Sequence, residues 1–309
     1  MHFSFVRNYE NLTGFSEGSV VTIGSFDGVH LGHQAIIRKV KEGAEKSGLL
    51  AVALLFEPQP YEYFSGENAP ARLMRMRDKV EKLLGLGLDR VVCLQFNERL
   101  RTLSANDFIA GVLVRGLCVK TLVIGDDFRF GADRTGDFAL LQKEGRRLGF
   151  EVIRNPTVAF DGDRISSTRV RQVLERADFE LAETLLGKPC EISGRVVYGQ
   201  QLGRTLGIPT INVQLRRYRS PLVGVFAVDV CVRGHRVRGV ANIGVRPTVG
   251  GLDKPILEVH LLDFSDRVYG EKVIVTFRKK IRDEQKFSSL DALKAQIGKD
   301  IESAQQFFG

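Results

Sequence analysis

One run of ten residues limits what this chain can fold into more than any other: Gly24-Ser25-Phe26-Asp27-Gly28-Val29-His30-Leu31-Gly32-His33. It follows an apolar run, Val20-Val21-Thr22-Ile23, that reads as a buried strand. It leads into Gln34-Ala35-Ile36-Ile37-Arg38-Lys39-Val40, which reads as a helix. A strand, a glycine-rich turn and a helix N-terminus in that order form an anion site, because unpaired N–H groups and the helix dipole converge there. The spacing sets His30 and His33 on one side of the first helical turn, where they can donate hydrogen bonds to phosphate oxygens without a metal. A histidine pair alone is also compatible with a structural or a metal-binding role. The surrounding Gly24, Gly28 and Gly32 favour phosphate, and chemistry on a nucleoside triphosphate is the expectation.

At 309 residues the chain can hold two domains or one large one. A net charge of +8 and a pI near 9.4 call for anionic partners, either nucleic acid or phosphorylated small molecules, unless the surface is merely well solvated. No helix gathers basic residues on one face with aromatics between them, so nucleic acid is not expected. The cysteines Cys93, Cys118, Cys190 and Cys231 are far apart and lack zinc-ligand spacing. The start, Met1 to Asn8, has no basic segment followed by an apolar run. The longest apolar run, Leu49 to Phe56, is too short for a bilayer. A cytoplasmic protein with reduced thiols and no membrane contact is expected, acting as a monomer or weak homo-oligomer.

The first part alternates strand-like and helix-like segments. Strands are expected at 20–23, 49–56, 90–96, 119–124 and 151–154, and helices at 34–46, 75–84, 105–115 and 137–148. That pattern describes βαβ units around a parallel sheet, with ligand-binding loops after the strands. Residues 165–187 read as two short helices. After Gly187-Lys188-Pro189 come β-like runs at 191–198, 223–232, 236–243, 256–263 and 272–278 without a long helix between them, an antiparallel barrel or sandwich pattern. A final helix is expected to open with a capping-box-like Ser288-x-x-Asp291 and to pack through a stripe of Leu290, Leu293, Ile297 and Ile301. The domain boundary is placed near 187, giving 1–187 and 188–309.

Four more segments carry chemistry. In Ile165-Ser166-Ser167-Thr168-Arg169-Val170-Arg171, hydroxyls and arginines at a helix start form a second anion cradle, or simply an N-cap. Gly125-Asp126-Asp127-Phe128-Arg129-Phe130-Gly131 reads either as a turn capped by Asp or as a pocket for a flat ring. In Gly203-Arg204-Thr205-Leu206-Gly207-Ile208-Pro209-Thr210-Ile211-Asn212, Thr210 and Asn212 share a strand face, and their neutral oxygens suit a Mg²⁺ that borrows phosphate oxygens. Gly203 and Gly207 flank it as a phosphate-covering loop, or the segment is simply a turn with Pro209. Glu258-Val259-His260, with carboxylate and imidazole on one face, reads either as an exposed polar strand face or as a site where Glu258 accepts a hydroxyl proton. Neither a Walker A sequence nor a G-x-G-x-x-G fingerprint after a strand is present.

In this order the motifs resemble the bifunctional bacterial riboflavin kinase/FMN adenylyltransferase family over essentially the full length. Gly24–His33, Phe56-Glu57-Pro58, Gly125–Gly131 and Ile165–Arg171 resemble the adenylyltransferase module. Gly203–Asn212, Asn242-Ile243-Gly244-x-Arg246-Pro247-Thr248, Glu258–His260, Tyr269-Gly270 and Ile281-Arg282-x-Glu284-x-x-Phe287 resemble the kinase module. The resemblance implies a Rossmann-like HxGH nucleotidyltransferase domain followed by a six-stranded antiparallel barrel with a C-terminal helix. It implies ATP-dependent conversion of riboflavin to FMN, and of FMN to FAD with release of pyrophosphate. It implies catalytic roles for His30, His33, Arg171 and Glu258. ATP and its phosphates would meet Gly24, Phe26, Asp27, Gly28, Gly32, Ser167, Thr168, Gly203, Arg204 and Gly207. Flavin would meet Glu57, Asp127, Phe128, Arg282, Glu284 and Phe287, and Thr210 with Asn212 would hold Mg²⁺. The chain departs from the family pattern at Gln59, where His is frequent, and at Phe226, where Tyr is frequent.

Overall fold

The structure is a computed structural model and describes residues 5–8, 12, 15–199, 203, 207–215, 219–246 and 254–309. Arg204, with Thr205 and Leu206, and Pro247-Thr248 lie outside these residues. The chain divides into two compact units, Met1–Pro70 with Met76–Ser167, and Ala71–Arg75 with Thr168–Gly309. Among the described residues no helix is long and apolar enough to cross a membrane.

The first unit contains β1 (Phe5–Arg7), β2 (Ser19–Ile23), α1 (Leu31–Ser47), β3 (Leu50–Glu57), α2 (Pro60–Ser65), α3 (Met76–Gly85) and β4 (Arg90–Gln95). Then come α4 (Glu98–Arg101), α5 (Ala105–Phe108), a π-helix at Ile109–Gly116, β5 (Val119–Gly125), α6 (Phe138–Leu148), β6 (Glu151–Asn155) and a small hairpin of β7 (Ala159–Phe160) and β8 (Asp163–Arg164). The sheet order is β1-β4-β3-β2-β5-β6, and every pairing in it is parallel. β2 is buried along its whole length and β3 is apolar from Leu50 to Phe56, because both faces of such a sheet are covered. The chain winds outward from β2 to β4, then returns to place β5 on the other side of β2. The loop after β2 therefore sits at the switch point, where open α/β sheets bind ligands.

The sequence expectation held neither α4 nor the β7–β8 hairpin, and other elements differ from it as well. β1 has only three residues, too few to show a period. α2 begins at Pro60, whose ring suits a first helical position. The helix expected over 105–115 changes from α to π at Ile109.

The second unit opens with α7 (Ser167–Glu175, whose first residue belongs to the first unit) and α8 (Phe179–Leu186). Six strands follow: β9 (Glu191–Val197), β10 (Ile211–Gln214), β11 (Gly224–Val232), β12 (His235–Arg246), β13 (Lys254–Leu261) and β14 (Lys272–Arg282). They close as β10-β13-β12-β11-β14-β9, with β9 returning to β10, so a barrel and not a sandwich forms. α8 lays Phe179 against Phe226 and Phe277, with ring centroids 6.0 and 6.1 Å away.

The last helix, α9 (Leu290–Phe308), is capped by Ser289, whose hydroxyl accepts from the Ala292 N–H at 3.1 Å. The cap is thus one residue later than expected. The apolar stripe divides its work: Ile301 packs on the cluster of Val225, Ala227, Val240 and Ala304, Leu293 and Ile297 line a cavity, and Leu290 is exposed.

Candidate functional site

In the first unit the segment after β2 is a strained turn. Phe26 (φ 47°) and Val29 (φ 46°) both adopt left-handed backbone, a conformation that costs a non-glycine residue about 1–3 kcal/mol. External donors hold it. Ser167 Oγ donates to the Asp27 carbonyl at 2.9 Å, Gln34 Nε2 to the Val29 carbonyl at 2.9 Å, and Lys79 Nζ to the Ser25 carbonyl at 2.6 Å. Phe26 and Asp27 are buried.

His30 is the N-cap of α1, not a residue of its first turn. Its Nδ1 accepts from the His33 N–H at 3.3 Å. That acceptor role puts the proton of the neutral ring on Nε2. The His30 and His33 rings stack with centroids 3.7 Å apart at 19°. A Cβ at position 32 would come within 3.1 Å of the His30 ring, which explains Gly32. The His33 Nδ1 is buried without a hydrogen-bond partner. Burial, and then the nearby His30, Lys79, Arg164 and Lys82, push the His33 pKa well below 6.5. His33 therefore meets a ligand as a neutral N–H donor, and His30 offers its Nε2–H.

The second anion cradle is partly committed elsewhere. The Ser167 hydroxyl proton is used on the Asp27 carbonyl, so Ser167 acts on the site through the turn. Arg171 is buried and donates its Nε to the Ala71 carbonyl at 2.6 Å. Asp127 is gripped by Arg164 of β8 through two bonds of 2.9 and 3.0 Å. That guanidinium holds the Asp127 carboxyl below its ordinary range. Glu57 ends β3, and Gln59 is fully buried at the N-cap of α2, accepting from the Tyr61 hydroxyl.

Sequence reading found Phe128 but not the series to which it belongs. Phe128 stacks on Phe130 at 5.6 Å, which meets Phe108 at 5.5 Å. Phe108 meets Phe56 at 6.4 Å, Phe56 meets Phe96 at 6.1 Å, and Phe96 meets Phe64 at 5.9 Å. Phe56 is the last residue but one of β3, Phe96 follows β4 and Phe128 follows β5, so the series runs along the strand ends. It finishes at Phe64, which is 65% exposed.

In the second unit, sequence candidates from three segments meet in one cavity of about 250 Å³. Gly203, Thr210, Asn212, Glu258, Arg282, Glu284 and Phe287 all line it. Strand register explains the meeting. Asn212 of β10 faces Glu258 of β13, Glu258 faces Asn242 of β12, Asn242 faces Val225 of β11, and Val225 faces Arg282 of β14. All five lie on one hoop of the barrel and line the cavity. Asn242 was in a recognised motif, but its place opposite Glu258 depends on a long-range pairing. Gly207 is not among the lining residues.

The Asn212 Oδ1 is buried with no hydrogen-bond partner. An orphaned neutral oxygen beside Thr210 and the Glu258 carboxylate is a hard-cation donor set. The His260 Nδ1 lies 2.9 Å from the Pro209 carbonyl, which can only accept, so the imidazole donates and pins the backbone just before Thr210. Gly244 has no room for a side chain, because a Cβ there would overlap the Glu284 carboxylate. Arg282 is committed to Asp300 of α9, from Nε to Oδ1 at 2.8 Å and from Nη2 to Oδ2 at 2.8 Å. It also donates to the Asp283 carbonyl. Arg282 thus forms a wall and ties the last helix to the barrel.

The comparisons with known proteins agree with this division. A family model described as FAD synthetase matches residues 13–169, and one described as riboflavin kinase matches 186–308. A bifunctional riboflavin kinase/FMN adenylyltransferase of Pseudomonas fluorescens is 53% identical over 300 residues, covering 97% of this chain and 96% of that one. The protein of the same description from Escherichia coli K12 is 52% identical over 306 residues, covering 98% and 97%. Among solved structures, one titled a macrolide-efflux protein from Streptococcus pneumoniae superposes with a TM-score of 0.80 at 30% identity, covering 98% and 99%.

Proposed function

The chain belongs to the bifunctional riboflavin kinase/FMN adenylyltransferase family, and on that premise we propose which residues carry each of its two activities. The enzyme phosphorylates riboflavin to FMN with ATP and adenylylates FMN to FAD. The catalytic modules divide near residue 187, a reading supported by family matches of which the first ends at 169 and the second begins at 186.

Adenylyl transfer belongs to the histidine turn. FMN phosphate is partly a dianion near neutral pH, so the step needs alignment and charge stabilisation more than a base. The N–H groups of His30 and His33 and of the first turn of α1 take the ATP phosphates. Thr168 and Arg171 are assigned to the same reaction through the likeness of Ile165–Arg171 to the family's motif, and Ser167 fixes the turn through the Asp27 carbonyl. The flavin ring finds its surface on the aromatic series ending at Phe64, with Glu57, Asp127 and Phe128 along the same strand ends.

Phosphorylation belongs to the barrel cavity, and the hoop that sets Glu258 between Asn212 and Asn242 is the observation that carries this reading. Glu258 takes the proton of the riboflavin 5′-hydroxyl as it attacks. Thr210 and Asn212 would hold Mg²⁺, which supplies charge neutralisation for the ATP phosphates. His260 keeps the Pro209 backbone in place. Glu284, Phe287 and the wall formed by Arg282 shape the flavin end, and Gly203, Arg204 and Gly207 cover the phosphates. Each candidate site is lined from one chain, so a monomer or weak homo-oligomer is competent. The cytoplasm keeps its thiols reduced.

Incubation with riboflavin, ATP and Mg²⁺, followed by flavin chromatography over time, tests the assignment: FMN rises first and FAD follows. In His33→Ala, FMN should accumulate while FAD stays low. FAD formation at the unaltered rate in that variant removes the histidine turn from the reaction.

A further inference from the structure

Of the 19 residues of α9 only Asp300 and Ala304 are buried. Alanine in such a place needs no account. A carboxylate does, because a charge removed from water is costly unless it is paired and hydrogen-bonded. Asp300 is 3% exposed and accepts from Arg282 Nε at 2.8 Å, Arg282 Nη2 at 2.8 Å and Gln296 Nε2 at 3.0 Å. Fastening a helix to a barrel does not by itself call for such a pair, since well-packed apolar residues of similar volume often do it as well or better. Both Arg282 and Asp300 line the barrel cavity, and it is there that the pair finds a use.

An arginine carries five N–H donors and no acceptor. In Arg282, the Nε–H and one N–H of Nη2 go to Asp300, and one N–H of Nη1 goes to the Asp283 carbonyl at 2.9 Å. Three of the five are thus used, and two remain, one on each terminal nitrogen, without an acceptor among the described residues. The guanidinium lies over the Phe287 ring at 5.7 Å. A carboxylate bound through two parallel N–H bonds fixes the plane of the fork and also cancels its charge. A bare guanidinium favours an anion such as phosphate. A compensated one serves a neutral carbonyl as a directed donor. The ring of riboflavin offers neutral carbonyl oxygens.

The geometry points to Asp300 as a positioning residue of the kinase site: it holds Arg282 so that the two remaining N–H groups serve a carbonyl of the flavin ring, and it cancels the charge that would otherwise hold an anion at the ring end of the cavity. The inference rests on the reading of the barrel cavity as the kinase site. Gln296, one turn earlier on α9, supports the same carboxylate.

Two variants of the full chain test it. Asp300→Asn keeps the shape and one oxygen acceptor and loses the charge. With ATP saturating, KM for riboflavin should rise about tenfold, the worth of one misdirected hydrogen bond, with kcat within about threefold. FMN adenylylation should stay within about twofold. Inorganic phosphate should now inhibit competitively with riboflavin, which it should not do in the unaltered chain. In Arg282→Met/Asp300→Met both charges go and an apolar pair takes their place. Its Tm should lie near that of the unaltered chain, its KM for riboflavin should stay about tenfold high, and phosphate should not compete.

Unchanged KM in Asp300→Asn overturns the inference. So does recovery of both Tm and riboflavin KM in the double variant, which is how a pair that merely ties down a helix behaves. Where Asp300→Asn loses both activities through unfolding, the double variant decides by that same comparison. If Glu258→Gln makes FMN at the unaltered rate, the reading of the cavity itself has failed. If it does not, and both Asp300 variants take riboflavin normally, only the inference has.

Discussion

The histidine turn and the barrel cavity reach the same end, a phosphate site, by opposite means. The turn is built from exceptions: two left-handed non-glycine residues, an imidazole as helix cap, and side chains from α3 and α7 holding its carbonyls. The cavity is built from regularity, with five residues on five strands brought level by pairing alone. A site made of exceptions depends on many groups that never touch substrate. A site made by register depends on the few that do. Loss of one group should therefore be sharper in the barrel and more graded in the turn.

The largest effect should come from Glu258→Gln. Removing a general base costs roughly a hundred- to ten-thousandfold, so FMN formation should almost disappear while supplied FMN is still adenylylated. Parallel loss of both rates would erase the contrast. Next, His30→Ala or His33→Ala should lower FAD formation by more than tenfold with FMN formation nearly intact. One lost hydrogen bond worth about 1.5–3 kcal/mol accounts for that if it forms in the transition state.

Gly244→Ala should act on the barrel alone. Its methyl group displaces the Glu284 carboxylate, and KM for riboflavin should rise about tenfold, equivalent to about 1.4 kcal/mol, with FMN adenylylation unchanged. The smallest effect concerns pH. The folded His33 pKa lies below 6.5, so below pH 6.5 the unfolded chain binds the proton more readily than the folded one. Stability is therefore lost as pH falls through 6.5 towards the folded value, by less than about 1.4 kcal/mol per pH unit. Urea unfolding of the full chain from pH 7 to 5 should show a shallower decline in His33→Gln. An identical slope would mean that His33 is as easily protonated folded as unfolded.

How far each region could be read in the sequence follows from the same difference. Alternation and long apolar runs revealed both sheets, since burial on one or two faces leaves a period of two or none. The histidine motif marked the switch-point loop because its glycines and its position after β2 are local signals. The aromatic series was hidden because its members lie on separate loops and meet only in three dimensions. The commitment of Arg282 to Asp300 was hidden for the same reason, and an arginine in a motif looks alike whether it greets a ligand or a carboxylate. The π-helix at Ile109–Gly116 leaves no mark, because its apolar residues also satisfy an α-helix. The single-residue error at Ser289 arose where two serines stand side by side and either can cap.

The levelness of Asn212, Glu258, Asn242, Val225 and Arg282 has a further result. Neighbours along each strand face the opposite way, so swapping one side chain on this face, which the last helix covers, retunes what the kinase accepts while the closed interior of the barrel stays as it was. Deleting one residue within one of those strands does the reverse, turning that strand's lining residue to the other face and packing a core residue in its place. Such a barrel tolerates spelling changes and punishes frame slips.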